Sequence, residues 1–189
     1  NPFSTEPLTF EELKKDCLCY MNIFGEQVKA SRLFLGNEYA HQKKKLEQYF
    51  GRKGEQAEIE PDESLLEKLI SENDSAKKLQ LETAHSSGPY PGKEPGVWNL
   101  EVFSSYEEAY HQLMLDLVSI QAHCIELAQG GEDIDELIVT GGFSQNNFFV
   151  RLLASRFPNK EIYTASLPHA SALGAALAVN NDQDTNNVA

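Results

Sequence analysis

The sequence predicts an α/β domain, and three features carry that prediction. The short apolar run Leu137-Ile-Val139 leads directly into Gly141-Gly142 and then a polar segment, Ser144-Gln-Asn-Asn147. Glu161-Ile-Tyr-Thr-Ala165 repeats the strand pattern after a helix-like stretch, and residues 169–179 are almost wholly small and aliphatic. Strand, glycine turn, helix, strand, helix is the order of a parallel β/α layer.

Taken from the amino terminus, Thr9-Phe-Glu-Glu12 has the spacing of a capping box and predicts a helix to about Met21, which Gly25 cannot extend. In such a helix Cys17 and Cys19 point to different faces, which argues against a shared metal. With Cys124 they make three cysteines and no zinc-like second pair, so free thiols in a reducing cytoplasm are expected. The segment Lys29 to Gly36 predicts an edge strand or turn, with Asn37 capping a helix to about Phe50. On that helix Glu38, His41 and the run Lys43-Lys44-Lys45 are expected on a solvated face.

Pro61-Asp-Glu-Ser64 opens a short helix through Leu65, Leu66, Leu69 and Ile70. His85 to Asn99, rich in Pro and Gly, predicts an irregular loop whose far end is pinned by Trp98. Packing is the plain role for that indole, and a platform for a sugar ring is the sharper one. Ser105-Tyr-Glu-Glu108 caps the longest predicted helix, which runs through Leu113, Leu117, Ile120 and Leu127 to Gly130-Gly131. Asp116 and Glu126 are expected on its solvent face.

The run Leu137-Ile-Val139 suits a strand buried on both faces. Gly141 and Gly142 remove Cβ atoms where the chain must turn, so a flat ring or phosphate can lie against the main chain. Ser144 is the expected helix cap, and the helix continues through Phe148 to Phe157 before Pro158. A Gly-Gly turn is also common where nothing binds. The dinucleotide fingerprint G-x-G-x-x-G is absent.

From about Asp133 to Val179 the chain resembles the C-terminal end of an FGGY-type carbohydrate kinase, in the actin-like ATPase superfamily. Gly141, Gly142 and Asn146 match the family's G-G-[GA]-x-x-N adenosine motif, and Phe143 departs from it. Ala170, Ala172, Leu173, Gly174 and Ala175 match its A-x-A-L-G-A-A hinge helix. Ser31, Arg32, Phe34, Leu35 and Gly36 are similar to a segment of fuculose- and xylulose-kinase-like members. The resemblance implies an actin-like (ribonuclease-H-like) α/β fold, the C-terminal half of a two-domain sugar kinase and incomplete at its N-terminal side. It implies ATP with Mg²⁺ as cofactors, the metal held mainly outside this chain, and a small sugar as substrate. Gly142 would lie beside adenine or ribose, Asn146 would offer its amide to the base edge, and Phe143 would stack near the base or narrow the pocket.

The N-terminal kinase domain of the same protein is the implied partner, and a homodimer stays open. The phosphate hairpins and catalytic Asp such kinases need are not visible here, so no catalytic residue and no metal ligand is assigned. Residues 1–180 are expected to form the domain, with 26–104 irregular and insert-rich, 105–180 the nucleotide-binding core, and 181–189 a disordered tail. The alternative is a non-catalytic nucleotide-sensing or assembly module. A net charge of −13 argues against nucleic acid or an anionic membrane as partner, and no apolar stretch approaches the ~20 residues that span a bilayer. A cytoplasmic location is expected.

Overall fold

The computed structural model describes residues 6–14, 17–22, 24–31, 33–57, 59–80 and 97–165, with positions 172 and 176. The expected irregular loop before residue 97, the tail at 181–189 and most of the small-residue helix at 169–179 lie outside the described residues. In chain order the elements are α1 (Phe10–Lys14), β1 (Cys17–Met21), β2 (Gln27–Ser31), α2 (Leu35–Phe50), α3 (Glu63–Glu72), α4 (Tyr106–Gln129), β3 (Glu136–Thr140), α5 (Asn147–Arg156) and β4 (Glu161–Ala165). None of the described helices is long and apolar enough to cross a membrane.

The capping box at Thr9 forms in both directions: Glu12 N–H donates to Thr9 Oγ1 at 3.2 Å and Thr9 N–H to Glu12 Oε2 at 2.6 Å. The helix it opens is only one turn long, and Cys17–Met21 is a strand. β1 pairs antiparallel with β2, Cys17 opposite Ser31 and Met21 opposite Gln27. The reversal is made by Asn22, whose Oδ1 accepts from the N–H groups of Phe24 and Glu26, and by Gly25 at φ 76°. Cross-strand pairing with residues downstream of this turn overrides the helical start. A buried ion pair, Lys29 Nζ to Glu12 Oε1 at 2.8 Å, ties β2 to α1 and, with the Thr9 N–H, holds the Glu12 carboxyl below its ordinary value. Cys17 is buried and Cys19 exposed, and strand periodicity directs them to the same side, not to different faces.

α2 begins at Leu35, so Gly36 and Asn37 lie within its first turn and Asn37 is not the cap. It ends where Gly51 turns left-handed at φ 69°. Glu38 is fully buried rather than solvated, and Gln42 Nε2 donates to its Oε1 at 2.6 Å. This is the face that α2 lays on α4.

α4 is the spine of the molecule. Leu113, Met114 and Leu117 are fully buried, and Tyr106 is nearly so. Around them gather Leu46 from α2, half-buried Leu66 from α3, and Phe148, Phe149 and Leu153 from α5, a core closed by Trp98 and Phe103. Trp98 donates its Nε1–H to Lys77 O at 2.7 Å and stands edge-on to Phe103 at 5.1 Å. With 7% of its surface exposed it is a packing residue, not a platform for a sugar.

Polar groups on α4 fix the neighbouring segments. Ser105 Oγ accepts from Glu108 N–H at 3.1 Å, as the capping pattern predicts, but the Glu108 carboxylate turns to Ser104 N–H, Ser104 Oγ–H and Lys77 Nζ. Burial alone would raise the Glu108 carboxyl; Lys77 and Ser104 outweigh it and hold it at about 2. His111 accepts Asp62 N–H on Nε2 at 2.8 Å and gives its Nδ1–H to Glu107 O at 2.7 Å. This fixes the neutral tautomer and joins α3 to α4, and burial lowers the imidazole pKa. Asp116 is not on a solvent face: Oδ2 accepts Leu79 N–H at 2.8 Å and Oδ1 accepts Gln112 Nε2–H at 2.9 Å. Glu126 is exposed as expected and meets Arg156 at 3.2 Å.

β3 and β4 pair in parallel, Glu136 opposite Glu161 and Thr140 opposite Ala165. Leu137 and Val139 are half-buried against the core, whereas Ile138 is 64% exposed, so among the described residues β3 is covered on one face and not on two.

Burial raises the Asp116 carboxyl from 3.8 to about 6, so its anion opposes folding above that value and the cost disappears as pH falls toward the unfolded pKa. Asp116→Asn keeps the acceptor for Leu79 N–H. It is expected to stabilise the fold by about 2 kcal/mol at pH 7.5 and by almost nothing at pH 4, read as the difference in thermal midpoint at the two pH values.

Candidate functional site

β3 delivers the chain to Gly141 at its carboxyl end. Gly141 has φ 71° and ψ −155°, a combination that in practice only glycine adopts, and the chain then enters a one-turn 3₁₀ segment, Gly142–Gln145. Ser144 is not the cap of the helix that follows. It is buried and folds its hydroxyl back to Gly141 O at 2.7 Å, closing the turn on itself. Asn146 is the cap: its Oδ1 accepts Phe149 N–H at 3.0 Å and α5 starts at the next residue.

Gly141 and Gly142 are both exposed, and a Cβ built on either meets no atom within 4 Å. Bare backbone therefore faces open space at the carboxyl end of a parallel strand and just ahead of a helix amino terminus, the position where open α/β sheets receive ligands. Gln145 and Asn147 are exposed beside it.

The turn is backed by side chains that no local pattern groups together. Phe143 points inward, its ring 4.3 Å from Phe149 and 5.6 Å from Tyr39 of α2. Tyr39 and Tyr110 share a hydrogen bond between hydroxyls at 3.0 Å, and Asn146 lies beside them. Burial, then the Tyr39 hydroxyl, push the Tyr110 phenol far above its ordinary value, so it stays neutral. Lys43 is not fully solvated: its ammonium lies 5.9 Å from the centre of the Tyr39 ring and 4.0 Å from Glu47 Oε1. Asn146 thus serves as helix cap, and Phe143 serves as the wedge between α2 and α5. These partners are far apart in the chain. The one sequence signal for them is the aromatic character of positions 39, 110 and 143.

A parallel strand pair feeding a glycine turn and a capped helix that packs on α4 defines the class as an α/β half-domain. The family follows from the sequence match. Residues 4–187 match the model of the carbohydrate kinase FGGY C-terminal domain, and the chain belongs to that family. Among solved structures, a carbohydrate kinase from Novosphingobium aromaticivorans superposes with a TM-score of 0.54 at 23% identity, over 88% of this chain and 34% of that one. The likeness supports the fold, and the chain spans about a third of that structure's length. No curated protein sequence matches.

The backbone at Gly141 is strained for any other residue, whereas Gly142 has only open space to fill. Gly141→Ala is expected to cost about 1–3 kcal/mol in chemical denaturation, and Gly142→Ala less than about 1 kcal/mol. Asn146→Ala removes the α5 cap and is expected to cost about 1 kcal/mol in the same measurement.

Proposed function

We propose that this chain is the adenosine-facing part of an ATP-dependent carbohydrate kinase, a parent protein that transfers the γ-phosphoryl group of MgATP to a hydroxyl of a small ketose or polyol. The observation that carries the proposal is the exposed Gly141-Gly142 backbone at the carboxyl end of β3, in a domain of the FGGY family. A planar base can approach a main chain without Cβ atoms more closely than any other. The space beside Gly142, which a side chain would occupy, fits that role.

In this reading Gly141 sets the turn and Gly142 forms the floor under adenine or ribose. Asn146 holds the turn in place through the α5 cap, and Phe143 fixes its height above the core. Phosphoryl transfer also needs a base, Mg²⁺ and cradles for the phosphates. The proposal assigns these, and the sugar contacts, to the remainder of the parent, whose N-terminal domain would close on this one and exclude water from the acceptor site. A cytoplasmic location goes with the use of ATP.

The test is ADP release by the full-length parent across a panel of pentuloses, deoxyketoses and polyols. Stimulation by one sugar supports the kinase, and ATP binding without stimulated turnover supports the sensing module instead. Gly142→Val in the same protein is expected to weaken ATP binding at least tenfold with an unchanged thermal midpoint, because its side chain enters the open space and touches nothing in the fold. Unchanged affinity in a folded Gly142→Val protein would remove the adenosine assignment.

A further inference from the structure

The bonds within the glycine turn hold its shape but not its place on the domain. Ser144 Oγ–H and Ser144 N–H both reach Gly141 O, at 2.7 and 3.1 Å, and Asn146 N–H reaches Phe143 O at 3.1 Å, so the turn closes on itself. The Asn146 cap and the contact of Phe143 with Phe149 tie it to α5, the helix it leads into. Gly141 and Gly142 have no side chains with which to grip anything, and a glycine pair leaves the backbone unusually free.

The turn's place is set from across the core. Phe143, the residue after Gly142, meets Tyr39 of α2 with ring centres 5.6 Å apart and planes at 59°. Tyr39 is half-buried, and its hydroxyl is held by that of Tyr110 at 3.0 Å. Tyr110 is the fixed end: it is 3% exposed, stacked on Tyr106 at 6.0 Å and packed against Phe148. A path of short contacts thus runs from α4 through two hydroxyls to the Tyr39 ring, the Phe143 ring and the Gly142 backbone. Two phenylalanines would fill the same space with no polar group to desolvate, so what the hydroxyls add is direction rather than burial. Burial keeps the Tyr110 phenol neutral, so the bond persists across the working pH range.

We propose that Tyr39 and Tyr110 are positioning residues for nucleotide binding: their shared hydrogen bond locks the Tyr39 ring against Phe143 and so holds the Gly141-Gly142 backbone at the height where it receives a base or ribose. This role rests on the adenosine reading of Gly142 and adds to it two residues that act through Phe143. Loss of either hydroxyl therefore falls on nucleotide affinity. Because the two make one bond, losing both costs no more than losing one.

The test is calorimetric titration of MgATP into the full-length parent and its Tyr39→Phe, Tyr110→Phe and doubly substituted variants, with the thermal midpoint of each. Tyr49→Phe, at the exposed far end of α2, is the control. The expected result is that each single variant binds MgATP about fivefold more weakly, the double variant by the same factor, and Tyr49→Phe as tightly as the unmodified protein. A lowered midpoint with unchanged MgATP affinity would overturn the proposal in favour of a purely structural bond, and losses that add in the double variant would overturn it as well. Gly142→Val separates this role from the reading beneath it. If that variant binds MgATP weakly while the tyrosine variants bind normally, the positioning role alone falls; if a folded Gly142→Val protein also binds normally, the adenosine reading falls with it.

Discussion

The architecture depends on one long helix that is buried along most of its length and packs against α2, α3, α5 and β2. α4 meets α2 through packed aromatic rings, with Arg52 on Glu107 at the rim at 2.7 Å. It meets α3 through a histidine, the segment at Lys77 through a carboxylate, and Leu79 through a second carboxylate. A cylinder this apolar has no preferred rotation from hydrophobic burial alone. The directional bonds of Glu108, His111, Asp116 and Tyr110 supply that choice, and the sheets and the glycine turn inherit their positions from it.

Much of this was legible locally. Ser105 with Glu108 marked the start of α4 and Gly130 its end, Asp62 marked α3, and the change from Leu137-Ile-Val139 to paired glycines marked β3 and its turn. Each signal lies within a few residues of the element it governs. The errors share an opposite cause. Cys17–Met21 follows a sound helix start and has no β-branched residue, so nothing nearby announces the strand that pairing with Gln27–Ser31 creates. Glu38 and Asp116 read as surface carboxylates because the groups that bury them come from elsewhere in the chain.

The candidate site divides along the same line. The glycine turn was visible because backbone demands are local, and Gly141 at φ 71° is such a demand. Its support by Tyr39, Tyr110 and Lys43 was not, because 71 residues separate the two hydroxyls that meet at 3.0 Å. Asn146 illustrates the difference between a motif and its use. Its place in the motif implies an amide offered to a ligand, and in the fold its Oδ1 also closes the first turn of α5.

Glu108, His111 and Asp116 on α4 have a joint effect on how the protein counts protons. Glu108 is already an anion and takes up no proton until strong acid. Burial raises the Asp116 carboxyl to about 6 and lowers the His111 imidazole, so on acidification the folded chain takes up its proton at Asp116 before the unfolded chain does and its proton at the histidine after it. The two uptakes have opposite signs in the linkage relation. The acid sensitivity that a lone buried histidine gives a domain is opposed, on this same helix, by a carboxylate whose protonation favours the folded chain.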